Sequence, residues 1–472
     1  MNSKALKKIA KAFFSFTYFI CREAQAAGMM QVVPLFHSRI SKLQPGIILC
    51  NFIDEQLGES MKKRLILISF VLLISNYVFC NNSKKSNLPA FYFDVLKVKA
   101  DLTCSSMRSI YNPADFDQLE KDILARKVSS TDCYYRLRKI LSNYHVAHVY
   151  LQPLKPDPIA LPLTFYNFGK EIHVCGVTKQ YEKYLGWKLI KISEFEIDEA
   201  VDKITDFYSY ETVISKRYHL EKKIPFNDFK YAGLLDKKGR LHVTLESPEE
   251  KTEELVLQAI DTRNNKFITF VSGNENEYRS IFETKNYSVK PCPEKRTLYV
   301  PYLACIARED YQPDIWFSDI IKELNSGLYD TLVFDLRYNH GGQQITWGFP
   351  EKYKDELNKY NIALIAGGRT FSAATVFMES ILKVCPNTKI FGEETGQAIF
   401  NYTGLAFEEL KGLNCKFAFP KVLDEYTPLT ELKKRTDSYY RGIMPDVEVY
   451  ENFEDFMNGE DAIYNAVYEF FN

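Results

Sequence analysis

Three segments of residues 331–404 decide the fold: TLVFDLRYNHGG at 331–342, NIALIAGGRTFSAATVFMESIL at 361–382 and TKIFGEETG at 388–396. The apolar run 331–336 predicts a buried strand that ends in a turn carrying Asn339, Gly341 and Gly342. The run 361–366 predicts a second strand, followed by Gly367-Gly368 and then by Ser372 at the head of a helical pattern. In that pattern Ala373, Val376, Phe377, Ser380 and Ile381 share one face. Residues 388–391 predict a third strand. Strand, turn and helix in alternation predict an α/β core with several loops meeting at the strand ends.

A serine at a strand-to-helix junction presents its hydroxyl where unpaired backbone N–H groups favour negative charge. The Ala373 amide is placed to help stabilise an oxyanion. The pair Gly341-Gly342 lets a second backbone segment approach closely enough to donate another N–H. A plainer reading fits the same residues: Ser372 caps the helix and the glycines make a tight turn.

DLRYNHGG, TFSAAT and GEETG, in this order and spacing, resemble the core of the tail-specific proteases, or C-terminal processing peptidases. That family includes the tricorn protease core and, as a non-enzymatic relative, the retinoid-binding repeats of the eye. The resemblance implies a crotonase-like peptidase core at 292–472, with Ser372 as nucleophile and Gly341, Gly342 and Ala373 around the oxyanion.

The chain has 472 residues, enough for two or three domains that each bury a core. Its 60 Lys+Arg balance 61 Asp+Glu, for a net charge of -1, and nothing points to a nucleic-acid partner. The 31 Tyr and 34 Phe predict aromatic-rich packing.

Residues 61–80 open with Met61-Lys62-Lys63-Arg64 and continue as an apolar run, the layout of a secretory signal. A signal belongs at a chain start, so residues 1–60 read as a misassigned extension ahead of Met61. An uncleaved membrane anchor is the alternative. Either one exports everything after Cys80, to a bacterial cell envelope. Cys80 and the polar NNSKKSN that follows resemble a lipoprotein tether, although Val78-Phe79 stand where small residues precede a lipidated Cys. Seven cysteines lie beyond this region without a CxxC pair, so buried free thiols are expected and a zinc site is not. No cofactor is expected.

Residues 81–155 read as a linker and a helical module, with helices over FDVLKVKADLTCSSM, FDQLEKDILARK and CYYRLRKILSNY. The module ends in His145-Val146-Ala147-His148-Val149-Tyr150. Two His three residues apart can ligate a metal from a helix, but no carboxylate or Cys sits nearby. Residues 156–291 read as a mainly β domain, in which YLGWKLIKISEFEIDEAVDKITDFY predicts a strand, a turn and then an amphipathic helix. The resemblance implies a PDZ-like domain here, which would accept a peptide terminus by strand addition. His173, His219 and His242 have no partner evident in the sequence.

The family offers two catalytic solutions. One pairs the Ser with a Lys after a Gly-Glu-rich segment. Here that segment reads Gly392-Glu393-Glu394-Thr395-Gly396-Gln397-Ala398, with no Lys. The tricorn-like branch uses a His and an orienting carboxylate, which implies His148 as general base. The resemblance places that carboxylate shortly before the Gly-x-x-Pro-Asp of RGIMPDVEVY, where Asp437 is the nearest and Glu431 is further off. Val146 stands where the branch has an Asp and Ala147 where tricorn has a Ser. Asp335 and Arg337 are expected as a scaffold pair beneath the oxyanion loop. The expectation is an exported serine endopeptidase acting on protein or peptide substrates, membrane-associated through the anchor or a lipid at Cys80. The alternative is an inactive relative that binds a peptide or apolar ligand.

Overall fold

The computed structural model describes residues 88–221, 224–269, 285–346, 348–399, 401–424 and 441–471. The extension 1–60, the signal-like segment 61–80 with Cys80, and Glu431 and Asp437 lie outside the described residues. Among the described residues no helix is long and apolar enough to cross a membrane.

The chain divides into two compact units. Among the described residues the first comprises 88–140, Leu151–Leu154 and Gly404–Leu423. Its described part contains the helices Ala90–Cys104 and Asp117–Leu124 and most of Ser130–Ser142. The last of these starts in a capping box. The Ser129 hydroxyl accepts from Asp132 N at 3.1 Å, and the Asp132 carboxylate accepts from Ser129 N at 3.0 Å. A three-stranded sheet runs in the order Tyr150–Pro153, Cys415–Asp424, Asn401–Leu410. Asp94 Oδ2 accepts from Leu413 N at 2.8 Å and the Ser106 hydroxyl donates to Pro420 O at 3.1 Å, so the first helices and this hairpin fold together.

The second unit comprises the described residues within 141–150, 155–403 and 424–471. Its six-stranded sheet follows chain order: β1 (Lys290–Cys292), β2 (Thr297–Pro301), β3 (Thr331–Asp335), β4 (Asn361–Ala366), β5 (Lys389–Gly392) and β6 (Val447–Glu448). β1 pairs antiparallel with β2, and β2 to β6 are all parallel. Such strands are covered on both faces and therefore read as continuous apolar runs. Side-chain alternation sends Leu298, Val300, Leu332, Phe334, Leu364 and Ile390 to one face. There they pack on α1 (Pro313–Leu324) and α2 (Ala373–Val384) through Trp316, Ile320, Phe377 and Ile381. Tyr299, Val333, Ala363, Ile365 and Phe391 face the other way, onto Ile463, Tyr464 and Val467 of α3 (Ala462–Phe471). The register aligns Pro301, Asp335 and Ile365, so these three strands end together. Loops at such carboxyl ends are where open α/β sheets build their sites.

The same unit holds a seven-stranded antiparallel sheet. Its path is Phe267–Thr269, Glu171–Thr178, Lys188–Ile192, Leu241–Glu246 and Thr252–Leu257, with Leu163–Phe168 and Phe195–Glu196 paired alongside. The helix Ile197–Thr205 lays Ala200, Val201 and Ile204 on its core. The histidines of this region are all occupied, contrary to their reading from sequence. His173 bonds Gly186 O through Nδ1 at 2.9 Å and stacks on Phe453, His242 meets Glu254 at 2.6 Å, and His219 lies against Tyr208.

Candidate active site

The loop after β3 begins with a buried ion pair. Arg337 Nη2 lies 3.0 Å from Asp335 Oδ2 and the Arg337 guanidinium also forks onto Asp461 at 3.0 and 2.8 Å. Asp335 has no exposed surface, and these partners satisfy a charge that would otherwise be costly there. Asn339 then closes the turn. Its Oδ1 accepts the Gly341 N–H at 2.9 Å, and its Nδ2 donates to Tyr302 O at 2.8 Å.

The two glycines do different work. A Cβ on Gly341 would stand 2.5 Å from Ser372 Cβ and 3.0 Å from Ala373 N, so only glycine lets this turn lie against the serine. Gly342, at φ +138°, abuts Cys305 O. Its neighbours use the bonds on either side: Cys305 N donates to Gly341 O at 3.1 Å and Gln343 N donates to Cys305 O at 2.6 Å. The Gly341 N–H is engaged by Asn339, whereas the Gly342 N–H donates to no acceptor among the described residues. The Cys305 thiol beside it is buried, and burial pushes its pKa up to about 11, against lowering by bonds to Tyr302 and Asn339. It is therefore a protonated thiol and no rival nucleophile near neutral pH.

Ser372 immediately precedes α2 and has φ 58° and ψ −126°. A side chain rarely adopts this conformation, which costs about 1–3 kcal/mol. Its hydroxyl makes no capping bond to the helix. The plainer reading of Ser372 as an N-cap fails on that point. The strain is held by backbone bonds on both sides: Phe371 N donates to Asn339 O at 2.9 Å and Thr375 N donates to Ser372 O at 3.0 Å. The Ser372 N–H is taken by the Gln397 side chain.

His148 falls within the second unit, alongside Ser372, and not with the helices that precede it in sequence. The segment around it is a turn, with His145 at φ 51°, so His145 and His148 do not share a helical face. The His145 ring packs against Tyr210 at 4.9 Å. The turn is fastened to residues 206–211. The Ser142 hydroxyl donates to Asp206 O at 2.6 Å, the Ser209 hydroxyl donates to Val149 O, and Ala147 N donates to Glu211 Oε1 at 3.2 Å. The buried His148 ring lies 4.9 Å, centroid to centroid, from the ring of Phe371, the residue before Ser372. Among the described residues no hydrogen bond joins the His148 ring to the Ser372 hydroxyl.

The carboxylate at this imidazole is Glu211, which nothing in the sequence marks. Glu211 Oε1 is 3.8 Å from His148 Nδ1, and both side chains are buried. Its other oxygen accepts from Ala398 N at 3.1 Å. Glu211 thus binds the His148 turn to the loop after β5. Its neighbour Thr212 donates to Thr395 O and Gly396 O, both at 3.1 Å. The stretch Ser209-Tyr210-Glu211-Thr212 has no periodicity or motif, and its role depends on long-range packing alone.

No family model and no curated protein matches the chain. Among solved structures, the mixed helix-and-sheet class narrows to a particular fold. Mature CPAF complexed with lactacystin superposes with a TM-score of 0.54 at 8% identity, over 81% of this chain and 97% of its own. Mature CPAF alone gives 0.51 at 10% identity, over 80% and 95%. The photosystem II D1 C-terminal processing protease is a looser neighbour, with a TM-score of 0.36 at 13% identity, over 79% and 98%. The likeness to CPAF establishes a shared fold. At these identities it assigns no residue.

Proposed function

We propose that this chain is a serine-type endopeptidase of the tail-specific protease kind, with Ser372 as nucleophile, His148 as general base and Glu211 as the orienting carboxylate. The observation that carries the reading is Ser372 itself. It is strained, uncapped and set at the carboxyl ends of the parallel strands, against the Gly341-Gly342 turn. Strain of this kind persists only where the surroundings impose it, and it concentrates at working sites.

In this reading a peptide carbonyl enters between Ser372 and the glycine turn. His148 takes the hydroxyl proton as Ser372 Oγ attacks, and Glu211 stabilises the imidazolium that forms. The Gly342 and Ala373 N–H groups receive the oxyanion, while Gly341 provides the close approach. The imidazolium returns the proton to the leaving amine, and water then releases the acyl group. Catalytic hydrogen bonds are often open before substrate arrives, so the missing Ser372–His148 bond is expected to form in the complex. Glu211 takes the place that the sequence reading gave to Asp437. The seven-stranded sheet, read as PDZ-like, would present a peptide terminus, and export through the 61–80 segment would place the enzyme in the cell envelope.

The open Ser372–His148 bond is also the point in favour of a non-catalytic binder. Cleavage of an unfolded protein substrate by the purified chain, abolished in Ser372→Ala, supports the peptidase. An intact substrate after prolonged incubation with well-folded protein rejects it.

A further inference from the structure

Gln397 is a half-satisfied amide in the loop after β5. The residue is 1% exposed. Its Oε1 accepts the Ser372 N–H and lies 2.8 Å from the Thr375 hydroxyl, whereas its Nε2 is buried without a partner among the described residues. A buried amide with an unused donor is costly, and an apolar side chain of the same size would avoid that cost. The acceptor end is therefore the part that needs explaining.

What it holds is the peptide plane between Phe371 and Ser372. The orientation of that plane sets the φ of Ser372, and so the direction of its Cβ and hydroxyl. Asn339 O holds the Phe371 N–H one residue earlier. Without an acceptor at the Ser372 N–H, the plane is free to rotate toward a relaxed φ and carry the hydroxyl away. The Gln397 loop is itself well anchored. Gly396 N donates to Thr370 O at 3.2 Å, the Thr395 hydroxyl donates to Gln397 O at 2.9 Å, and Ala398 N is bound by Glu211. One carboxylate thus locates both the His148 turn and the loop that fixes the serine.

We infer that Gln397 is a positioning residue, whose side-chain oxygen keeps Ser372 in its strained, attack-ready conformation. The inference rests on the reading of Ser372 as nucleophile. It is tested by the second-order rate of phosphonylation by a fluorophosphonate probe and by peptide kinetics, for wild type, Gln397→Met and Gln397→Ala. Gln397→Met keeps the volume and removes the acceptor. It is expected to lose on the order of 10²-fold in phosphonylation and in kcat, with KM unchanged and a thermal midpoint close to wild type, because removing the unpaired Nε2 offsets the Ser372 N–H left without its acceptor. Gln397→Ala leaves room for a small amide, so added acetamide is expected to restore part of its rate and to do nothing for Gln397→Met. Phosphonylation of Gln397→Met within threefold of wild type overturns the inference, as does a loss confined to KM. If Gln397→Met does not fold, acetamide rescue of Gln397→Ala decides, and its absence overturns the inference. Failure of wild type itself to label removes the nucleophile reading instead, and this inference with it.

Discussion

Replacing Glu211 by Gln removes one charge and nearly no volume from the site. The carboxylate stands 3.8 Å from His148 Nδ1, with both groups buried and little screened by salt. When the imidazole takes the Ser372 proton, a full charge pair exists at that spacing. Two unit charges at this distance attract by about 4 kcal/mol at an effective dielectric of about 20. A loss of that size in the transition state corresponds to roughly 10³-fold in rate. It is about tenfold smaller than the effect of removing the carboxylate from a serine triad, ~10⁴-fold, where the imidazole tautomer is lost as well. The substitution also sets an amide NH₂ against the Ala147 or Ala398 N–H, which costs about 1–3 kcal/mol of stability. The assay is kcat and KM on a fluorogenic peptide, with the thermal midpoint measured alongside. The expected result is a kcat loss near 10³-fold, KM within a factor of two and a folded protein with a modestly lowered midpoint. Activity within fivefold of wild type in folded Glu211→Gln would show that this carboxylate does not serve the imidazole.

Two other substitutions follow from the structure. Gly341→Ala places a Cβ 2.5 Å from Ser372 Cβ at a backbone φ of +87° that disfavours any side chain; a displaced serine is expected to phosphonylate about 10²-fold more slowly, while circular dichroism stays that of wild type. In the first unit, burial raises the Asp101 pKa to about 8, with Glu408 adding to the rise and Lys97 opposing it, and its Oδ2 has no hydrogen-bond partner among the described residues. The fold favours the protonated carboxyl, so stability is full below pH ~4 and is lost as pH rises toward 8. Asp101→Asn cannot ionise, and its thermal midpoint is expected to match wild type at pH 4 and to exceed it increasingly up to pH 8. A constant difference across that range contradicts the assignment.

Much of the core was legible because its signals are local. The parallel strands at 331–335 and 361–366 are buried along nearly their whole length and so appear as unbroken apolar runs; the helix Ala373–Val384 shows its period directly. The Asp335–Arg337 pair was legible from two charges at the end of a buried run. Long-range pairing was not. The hairpin 404–423 joins the N-terminal helices across some three hundred residues of chain, and no local feature of LKGLNCKF announces Asp94 as its partner. Glu211 is not marked in the sequence for the same reason: its place beside His148 arises because residues 206–211 fold onto the His148 turn. Gln397 was seen only as a position without a Lys. Its bond to the Ser372 N–H depends on the Ser372 backbone angle, which no spacing encodes.

A peptidase built on Ser372 requires that its hydroxyl can be driven to react. The purified chain, incubated with a fluorophosphonate and analysed by intact mass and peptide mapping, gives the most direct answer. The account predicts a single adduct on the peptide containing Ser372, absent in Ser372→Ala and formed far more slowly in His148→Ala. An unmodified mass in folded wild-type protein, or an adduct on any other residue, would contradict it.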